Sequence, residues 1–355
     1  MTGPRYTDRM DLVQVNRFGG PEVLKLIDRP TPEPGAMQVR IRVTSIGMNH
    51  ADLMGREGRY KASTGEPPFV PGIEAGGIIE QVGDEVDESR IGERVVLAPS
   101  LPRPVDGAHG GTYRSHIIVD ESLALLAPDA LPDEQLGALW LPYLTAWGCL
   151  AWKDKLQPGQ VVGIPAASSS VGLAAAQVVK ALGGTAIGLT SSPAKADAIQ
   201  SLGTARFDHL VITHDRDDDG KRVIRPWHRE IKGLTDGKGV DVYFDPVASG
   251  EYLSAEVRSL ARGGRIYIYG LLGEPGVVDL SPMIIRGASL HGWVLDEIVR
   301  AGDEVCLQAC KDILQRFIDG TFEQHVAGRY ALGQVQQAHE AMEQGQHIGK
   351  LVLVP

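Results

Sequence analysis

Residues 161–172 read Val-Val-Gly-Ile-Pro-Ala-Ala-Ser-Ser-Ser-Val-Gly, and Val171–Leu182 (VGLAAAQVVKAL) continues them as an Ala- and Leu-rich stretch of helical period. A short apolar strand, a turn of tiny side chains and a helix form the corner on which a Rossmann domain cradles phosphate. Small side chains let the backbone approach an anion. The first turn of the helix supplies unpaired N–H groups and the positive end of its dipole. The usual Gly-x-Gly-x-x-Gly spacing is absent: Ser168, Ser169 and Ser170 stand where glycines are common. Serine hydroxyls also donate to phosphate, so Ala167, Ser168, Ser169, Ser170 and Val171 are the candidate phosphate-binding residues.

Working outward, the pattern repeats. Thr185–Thr190 reads as a strand, Ala194–Leu202 as a helix ended by Gly203, and Arg206–Val211 as a weak strand. Asp241–Asp245, Gly264–Tyr269 and Ser289–Leu295 complete the set. Alternating β and α units of this length imply a doubly wound parallel sheet with helices on both faces. The acidic stretch His214–Lys221 reads as a solvated loop.

The first third of the chain reads differently. Asp11–Asn16, Val23–Asp28, Gln38–Ser45, Ile73–Val82 and Arg94–Ala98 are short strands broken by turns. Gln38–Ser45 (QVRIRVTS) alternates apolar and polar residues as a half-buried strand does. Pro30–Gly35 is too rich in proline for a helix or a central strand. This is a small, mostly antiparallel β domain. Asp133–Leu150 is apolar at helical spacing, Glu304–Asp319 and Ala338–Gly345 are helical, and Lys350–Val354 is a closing strand.

Composition narrows the function. A chain of 355 residues holds about two domains at ~150 residues each. With 35 Lys and Arg against 45 Asp and Glu, it carries −10 and no basic tract, which argues against nucleic acid and anionic membrane as partners. Three cysteines without a CxxC build no disulfide framework and fit a reducing compartment. There is no long apolar run for a membrane span and no apolar core for a secretory leader, so the expected location is cytoplasmic.

The end of the second α/β strand selects the cofactor. NAD enzymes place a carboxylate there for the ribose 2′-OH. Here the strand ends Leu189-Thr190-Ser191-Ser192-Pro193-Ala194-Lys195, and no carboxylate appears before Asp197. Ser191, Ser192 and Lys195 offer hydroxyls and a cation to a 2′-phosphate, so the expected cofactor is NADPH.

Motifs in order along nearly the whole chain, from about Val13 to Pro355, carry a resemblance. They are Phe18-Gly19-Gly20-Pro21-Glu22-Val23-Leu24, Gly47-Met48-Asn49-His50-Ala51-Asp52, Arg56-Glu57-Gly58-Arg59-Tyr60 and Val70-Pro71-Gly72-Ile73-Glu74-Ala75-Gly76-Gly77. Leu144-Thr145-Ala146-Trp147, Phe244-Asp245-Pro246-Val247, Tyr269-Gly270 and Gly349-Lys350-Leu351-Val352 follow. The sequence resembles the zinc-free quinone oxidoreductase branch of the medium-chain dehydrogenase/reductase superfamily. The resemblance implies a GroES-like catalytic domain, discontinuous over residues 1–135 and 300–355, and a Rossmann NADP(H)-binding domain over 136–299. It also implies that Thr145, Gly270, Leu271 and Lys350 contact the cofactor, and that the chain forms a homodimer through the apolar edge strand Ser289–Leu295.

Zinc alcohol dehydrogenases of this superfamily carry a Cys where this chain has Asn49, and a His where it has Ile73. No counterpart of the third ligand lies in Leu139–Leu144, and Ala51 replaces the hydroxyl that relays protons. A catalytic zinc needs three protein ligands and an open position, so no metal is expected. What remains is hydride transfer from the nicotinamide to a quinone or an α,β-unsaturated carbonyl, with charge building on oxygen. The candidates near that oxygen are Asn49 as an amide donor, Asp52 as an orienting carboxylate or helix cap, and Tyr60 as proton donor or packing aromatic. Two alternatives stand beside this reading: a trans-2-enoyl thioester reductase, and a non-catalytic NADPH-binding sensor on the same fold.

Overall fold

The strand Val161–Ile164 is apolar along its length, as a strand covered by helices on both faces must be. In the computed structural model, which describes residues 9–60, 64–99, 111–203 and 206–355, it lies at the centre of a six-stranded sheet. The order across that sheet is His209–Ile212, Thr185–Thr190, Val161–Ile164, Val240–Asp245, Leu260–Ile268, Ser289–Gly292, and every pair is parallel. In chain order this is 3-2-1-4-5-6, the Rossmann arrangement, whose strand order reverses between the first and fourth strands. Ligands in such sheets bind beyond the carboxyl ends at that reversal. Here those ends carry the Pro165–Ser169 turn and Asp245.

The chain divides into two compact units. One comprises Pro142–Glu297 with Thr321–Glu323; the other comprises Met1–Leu141, Ile298–Gly320 and Gln324–Pro355. The second unit is built on a seven-stranded sheet. Gln38–Gly47 lies at its middle, antiparallel to Glu74–Val82, to His116–Asp120 and to the last strand of the chain, Lys350–Val354. Lys350–Val354 also pairs in parallel with Val326–Ala331. Val335, Ala338 and Met342 of the helix Val335–Gln344 share one core with Val39, Ile41 and Val43. The α/β architecture expected from the sequence, a mostly antiparallel GroES-like sheet and a parallel Rossmann sheet, is the observed one.

Local expectations needed correction. His214–Lys221 is not simply a loop: His214–Arg216 pairs with Arg222–Ile224 as a two-stranded ribbon. Its residues are largely exposed, so no burial pattern marked it in the sequence. Asp133–Leu150 is not one helix. It opens as a single 3-10 turn, Asp133–Gln135, resumes as an α-helix at Trp140–Trp147, and widens into a π turn over Gly148–Lys153. The break follows from Gly137, whose N–H donates to Ser45 Oγ at 2.6 Å instead of entering a helix.

Glu256 departs from the usual pairing of buried charge. It sits on the helix Gly250–Ser259, fully buried, with Tyr243 and Tyr252 nearby. Neither carboxyl oxygen has a hydrogen-bond partner among the described residues. Burial, and then the nearby Asp245 carboxylate, hold its pKa well above the usual range, which favours the neutral form. A raised carboxyl pKa contributes stability below the unfolded value, near pH 4.5, that is lost as pH rises toward the folded value. Glu256→Gln keeps the shape and removes the titration. The melting temperature of the variant is expected to gain on wild type as pH rises from about 5 to about 8, by roughly 2–4 °C for each kcal/mol recovered. A pH-independent difference between the two would show that Glu256 does not titrate anomalously.

Candidate functional site

The first group of site residues lies in the unit that contains both chain ends. The strand Gln38–Gly47 delivers the chain to Asn49, the N-cap of the short helix His50–Arg56. Asp52 is the third residue of that helix, and its carboxylate accepts the Asn49 backbone N–H at 2.9 Å. That is the reciprocal bond of a capping box, so Asp52 is a helix cap in this structure.

Glu74 begins the neighbouring strand and pairs with Gly47. The approach is close: a Cβ on Gly47 would lie 2.5 Å from Glu74 Oε1 and 2.4 Å from the Gly137 carbonyl oxygen. Lys350 opens the last strand and turns its ammonium onto the same spot. Its Nζ donates to Asn49 Oδ1 at 2.5 Å and to Glu74 Oε1. Asn49 Nδ2 donates to Gly47 O and to Glu74 Oε1, each at 3.1 Å. Glu74 Oε2 accepts the Leu141 N–H at 3.0 Å. Asn49, Glu74 and Lys350 are 4%, 2% and 1% exposed. Such a pair needs every remaining donor and acceptor satisfied, because desolvation of two charges is expensive.

This geometry bears on the sequence expectations. Both amide hydrogens of Asn49 are engaged, so donation to a substrate oxygen would require Gly47 or Glu74 to give one up. Lys350 has three hydrogens and, among the described residues, donates two of them. The position taken by a cysteine ligand in zinc members is here bound to a buried ammonium. Among the described residues no group of three His, Cys, Asp or Glu side chains could hold a metal ion. Tyr60 follows the helix, half-buried, with its N–H on the Met54 carbonyl oxygen at 3.2 Å.

Sequence reasoning missed the residues behind Asp52. Tyr113 Oη lies 3.3 Å from Asp52 Oδ2 and 3.3 Å from His339 Nε2. His339 Nδ1 lies 3.4 Å from Arg56 Nη1, and Arg56 Nη2 is ion-paired with Glu343 at 2.5 Å. These residues come from segments far apart in the chain and belong to no local motif. Only their shared burial, at 3% or less for Asp52, Tyr113, His339 and Arg56, singles them out.

The second group lies in the Rossmann unit. The turn after Val161–Ile164 places Ala166 at φ +50°, and the Ala167 N–H donates to Leu189 O at 3.0 Å. Ser169 Oγ accepts the Gly172 N–H at 3.0 Å and so caps the helix Ser170–Ala181. A Cβ at Gly172 would lie 2.7 Å from Ala166 O, so the turn closes only on glycine. Ser170 and Val171 form the first turn of the helix. Ser192 caps the next helix, Pro193–Ser201, accepting the Lys195 N–H at 3.3 Å; Ser191 precedes it, half-buried. The Lys195 ammonium returns to the first turn and lies 3.3 Å from Ser168 Oγ. Partial burial lowers its pKa. A cation, serine hydroxyls and a helix N-terminus thus meet on one turn, which fits the phosphates of a dinucleotide.

The other expected cofactor residues lie at the carboxyl edge or below it. Thr145 is buried, and its carbonyl oxygen accepts the Trp293 indole N–H at 3.0 Å. Gly270 packs on Pro246, and Leu271 is 65% exposed. Asp245 ends the fourth strand and accepts N–H groups of Val247 and Ala248 at 2.6 and 2.9 Å. Burial pushes its pKa up to about 6 against the opposing pull of those two bonds.

Comparison with known proteins gives this arrangement relatives. Residues 35–129 match the alcohol dehydrogenase GroES-like domain, and residues 170–301 match the zinc-binding dehydrogenase family. A quinone oxidoreductase of Pseudomonas aeruginosa is 32% identical over 348 residues, covering 97% of this chain and 99% of that protein. A phenolphthiocerol/phthiocerol polyketide synthase of Mycobacterium tuberculosis is 29% identical over 343 residues, 96% of this chain, and the chain spans 14% of its length. The solved structure of mycobacterial Rv1454c complexed with NADPH superposes with a TM-score of 0.81 at 27% identity, covering 98% of this chain and 100% of that one. No described helix is long and apolar enough to cross a membrane. By its sequence, its two folded units and these relatives, the chain belongs to the quinone oxidoreductase branch of the medium-chain dehydrogenase/reductase superfamily.

Proposed function

We propose that this protein is a zinc-independent, NADPH-dependent reductase of quinones or α,β-unsaturated carbonyls. The observation that carries the reading is the Lys350–Asn49–Glu74 cluster, in which Asn49 stands where metal-dependent members hold a cysteine ligand and is hydrogen-bonded to the chain's own ammonium. The NADPH bound by a structural relative and the Lys195–Ser168 contact support the cofactor. When bound, NADPH supplies a hydride.

The residues of this chain take the remaining roles. Ser168, Ser170, Val171 and the helix N-terminus hold the pyrophosphate. Ser191, Ser192 and Lys195 hold the 2′-phosphate, while Thr145, Gly270 and Leu271 hold the nicotinamide end. Lys350 places a positive charge beside Asn49, where negative charge on an acceptor oxygen is stabilised in a medium of low polarity. Tyr60 delivers the proton of its phenol to that acceptor. The balance for a quinone is one quinone, one NADPH and one proton in, one hydroquinone and one NADP+ out. The same step on an enone leaves the saturated carbonyl.

We also propose a homodimer that pairs two copies of the edge strand Ser289–Gly292. Val277, Ile284 and Ile285 are 94%, 85% and 78% exposed, and Leu290 and Val294 are 40% and 44% exposed. An apolar edge of this kind is a surface that proteins cover. Light scattering is expected to give twice the chain mass at micromolar concentration; a monomer there would contradict the pairing.

The function is tested by kcat/KM with NADPH and NADH against an ortho-quinone, 1,4-benzoquinone, an alkenal and crotonyl-CoA. One charge-assisted contact to the 2′-phosphate contributes about 1.5–3 kcal/mol, so NADPH is expected to lead NADH by roughly 10- to 150-fold. Lys195→Ala removes that lead and leaves NADH nearly untouched. Tyr60→Phe is expected to lower enone turnover by about 100-fold with little change in the apparent NADPH constant. A preference for crotonyl-CoA over quinones and alkenals would make the protein an enoyl thioester reductase. Tight NADPH binding without turnover of any acceptor would make it a sensor.

A further inference from the structure

The helix that Asn49 caps and Asp52 belongs to has seven residues, too few to hold itself in place by its own hydrogen bonds. Both of its ends are gripped from outside. Asp52, in its first turn, meets Tyr113; Arg56, its last residue, meets His339 and Glu343.

We propose that Tyr113 and His339 are positioning residues of the acceptor site, which hold Asp52, and through it Asn49, by a hydrogen-bond chain with one fixed direction. The proposal rests on the reading of Asn49, Glu74 and Lys350 as the acceptor site given above.

The direction follows from what each group can do. A guanidinium only donates, so His339 Nδ1 is the acceptor in its contact with Arg56 Nη1. Burial, then the Arg56 charge, push the His339 pKa down to about 3, so the ring is neutral and carries its one hydrogen on Nε2. That hydrogen goes to Tyr113 Oη. Tyr113 has one hydrogen of its own, and burial keeps it bound by raising the phenol pKa well above its ordinary value. It goes to Asp52 Oδ2, the oxygen that also accepts the Asn49 N–H. A carboxylate only accepts, so the chain ends there. Donors and acceptors match along the line Arg56, His339, Tyr113, Asp52, and reversing one member would set two hydrogens or two lone pairs against each other.

The anchors are rigid. Tyr113 is tied through its N–H to Pro71 O at 3.0 Å and through its carbonyl oxygen to the Val13 N–H at 2.9 Å. His339 sits on the helix Val335–Gln344 between the core residues Ala338 and Met342. The four-membered line therefore fastens the Asn49 corner to the core from both ends of its helix. Displacements of about 1 Å at a reacting centre cost on the order of 100-fold in rate, so loss of this hold reaches the chemistry without touching a substrate.

Two measurements test the proposal. In the full chain with labelled histidine, the nitrogen–proton correlation spectrum is expected to show His339 as the Nε2–H tautomer, unchanged from about pH 5 to about pH 8. The Nδ1–H tautomer, or a ring that titrates in that range, would overturn the chain. In steady-state assays, Tyr113→Phe is expected to lower kcat/KM for the acceptor by about 10- to 100-fold, with the apparent NADPH constant within about twofold of wild type. His339→Gln, whose amide can both accept and donate, recovers part of the rate that His339→Leu loses. Equal loss toward acceptor and NADPH, or no advantage of Gln over Leu, would reduce both residues to packing. If wild type reduces no quinone or enone, the functional reading fails, while the tautomer still decides whether the chain exists.

Discussion

A lysine ammonium and a glutamate carboxylate, Lys350 and Glu74, meet in the interior at 1% and 2% exposure, and much of the sheet unit is arranged to make that meeting possible. Removing either partner would strand the other as a buried charge, at a cost of about 3–5 kcal/mol. The contact needs Gly47 to have no side chain, because Glu74 lies against its Cα. It needs the last strand in its observed register, with Val352 opposite Gly47, since a slip of one residue would turn Lys350 to the other face of the sheet. It joins residues 276 positions apart in the chain. The closing strand thus has two structural roles: it pairs with strands on both sides and delivers the cation to Glu74.

The two units contribute different physics. The Rossmann unit offers dipoles and small side chains. Its glycine-poor turn still closes tightly, because Ala166 adopts a left-handed conformation and Ser169 caps the helix Ser170–Ala181. The sheet unit offers fixed charge in a dry interior. Asn49 is held by Lys350, Glu74 and Gly47 through its side chain and by Asp52 through its backbone, so its corner has little freedom left. A preorganised group of this kind needs no rearrangement when charge develops nearby, which is where electrostatic catalysis gains most.

Much of the fold was legible in the sequence because it depends on local signals. The Val161–Gly172 corner and the strand–helix alternation after it announced the parallel sheet, and Gln38–Ser45 announced the half-buried antiparallel one. The ends of elements were less clear. Asp133–Leu150 has one continuous apolar pattern, yet Gly137 breaks it by bonding to Ser45, ninety-two residues away in the chain. The ribbon His214–Ile224 faces solvent and left no burial pattern to read. At the site, Asn49, Asp52 and Lys350 stood in recognisable motifs, but their partners did not. That Lys350 would pair with Glu74 and orient Asn49, or that Tyr113 and His339 would stand behind Asp52, depends on three-dimensional neighbours with no shared spacing. A buried polar network is invisible to periodicity, because its members sit at positions that otherwise read as core.

The central claim is that this site moves a hydride to its acceptor with the chain's own cation in place of a metal. The most direct test follows NADPH oxidation by an ortho-quinone in rapid mixing, with protein dialysed against a strong chelator and its metal content measured on the same sample. The account predicts metal-free protein that reacts at the full rate of the untreated sample, and a rate that collapses in Lys350→Met. Activity that disappears with the chelated metal and returns when zinc is added would contradict it.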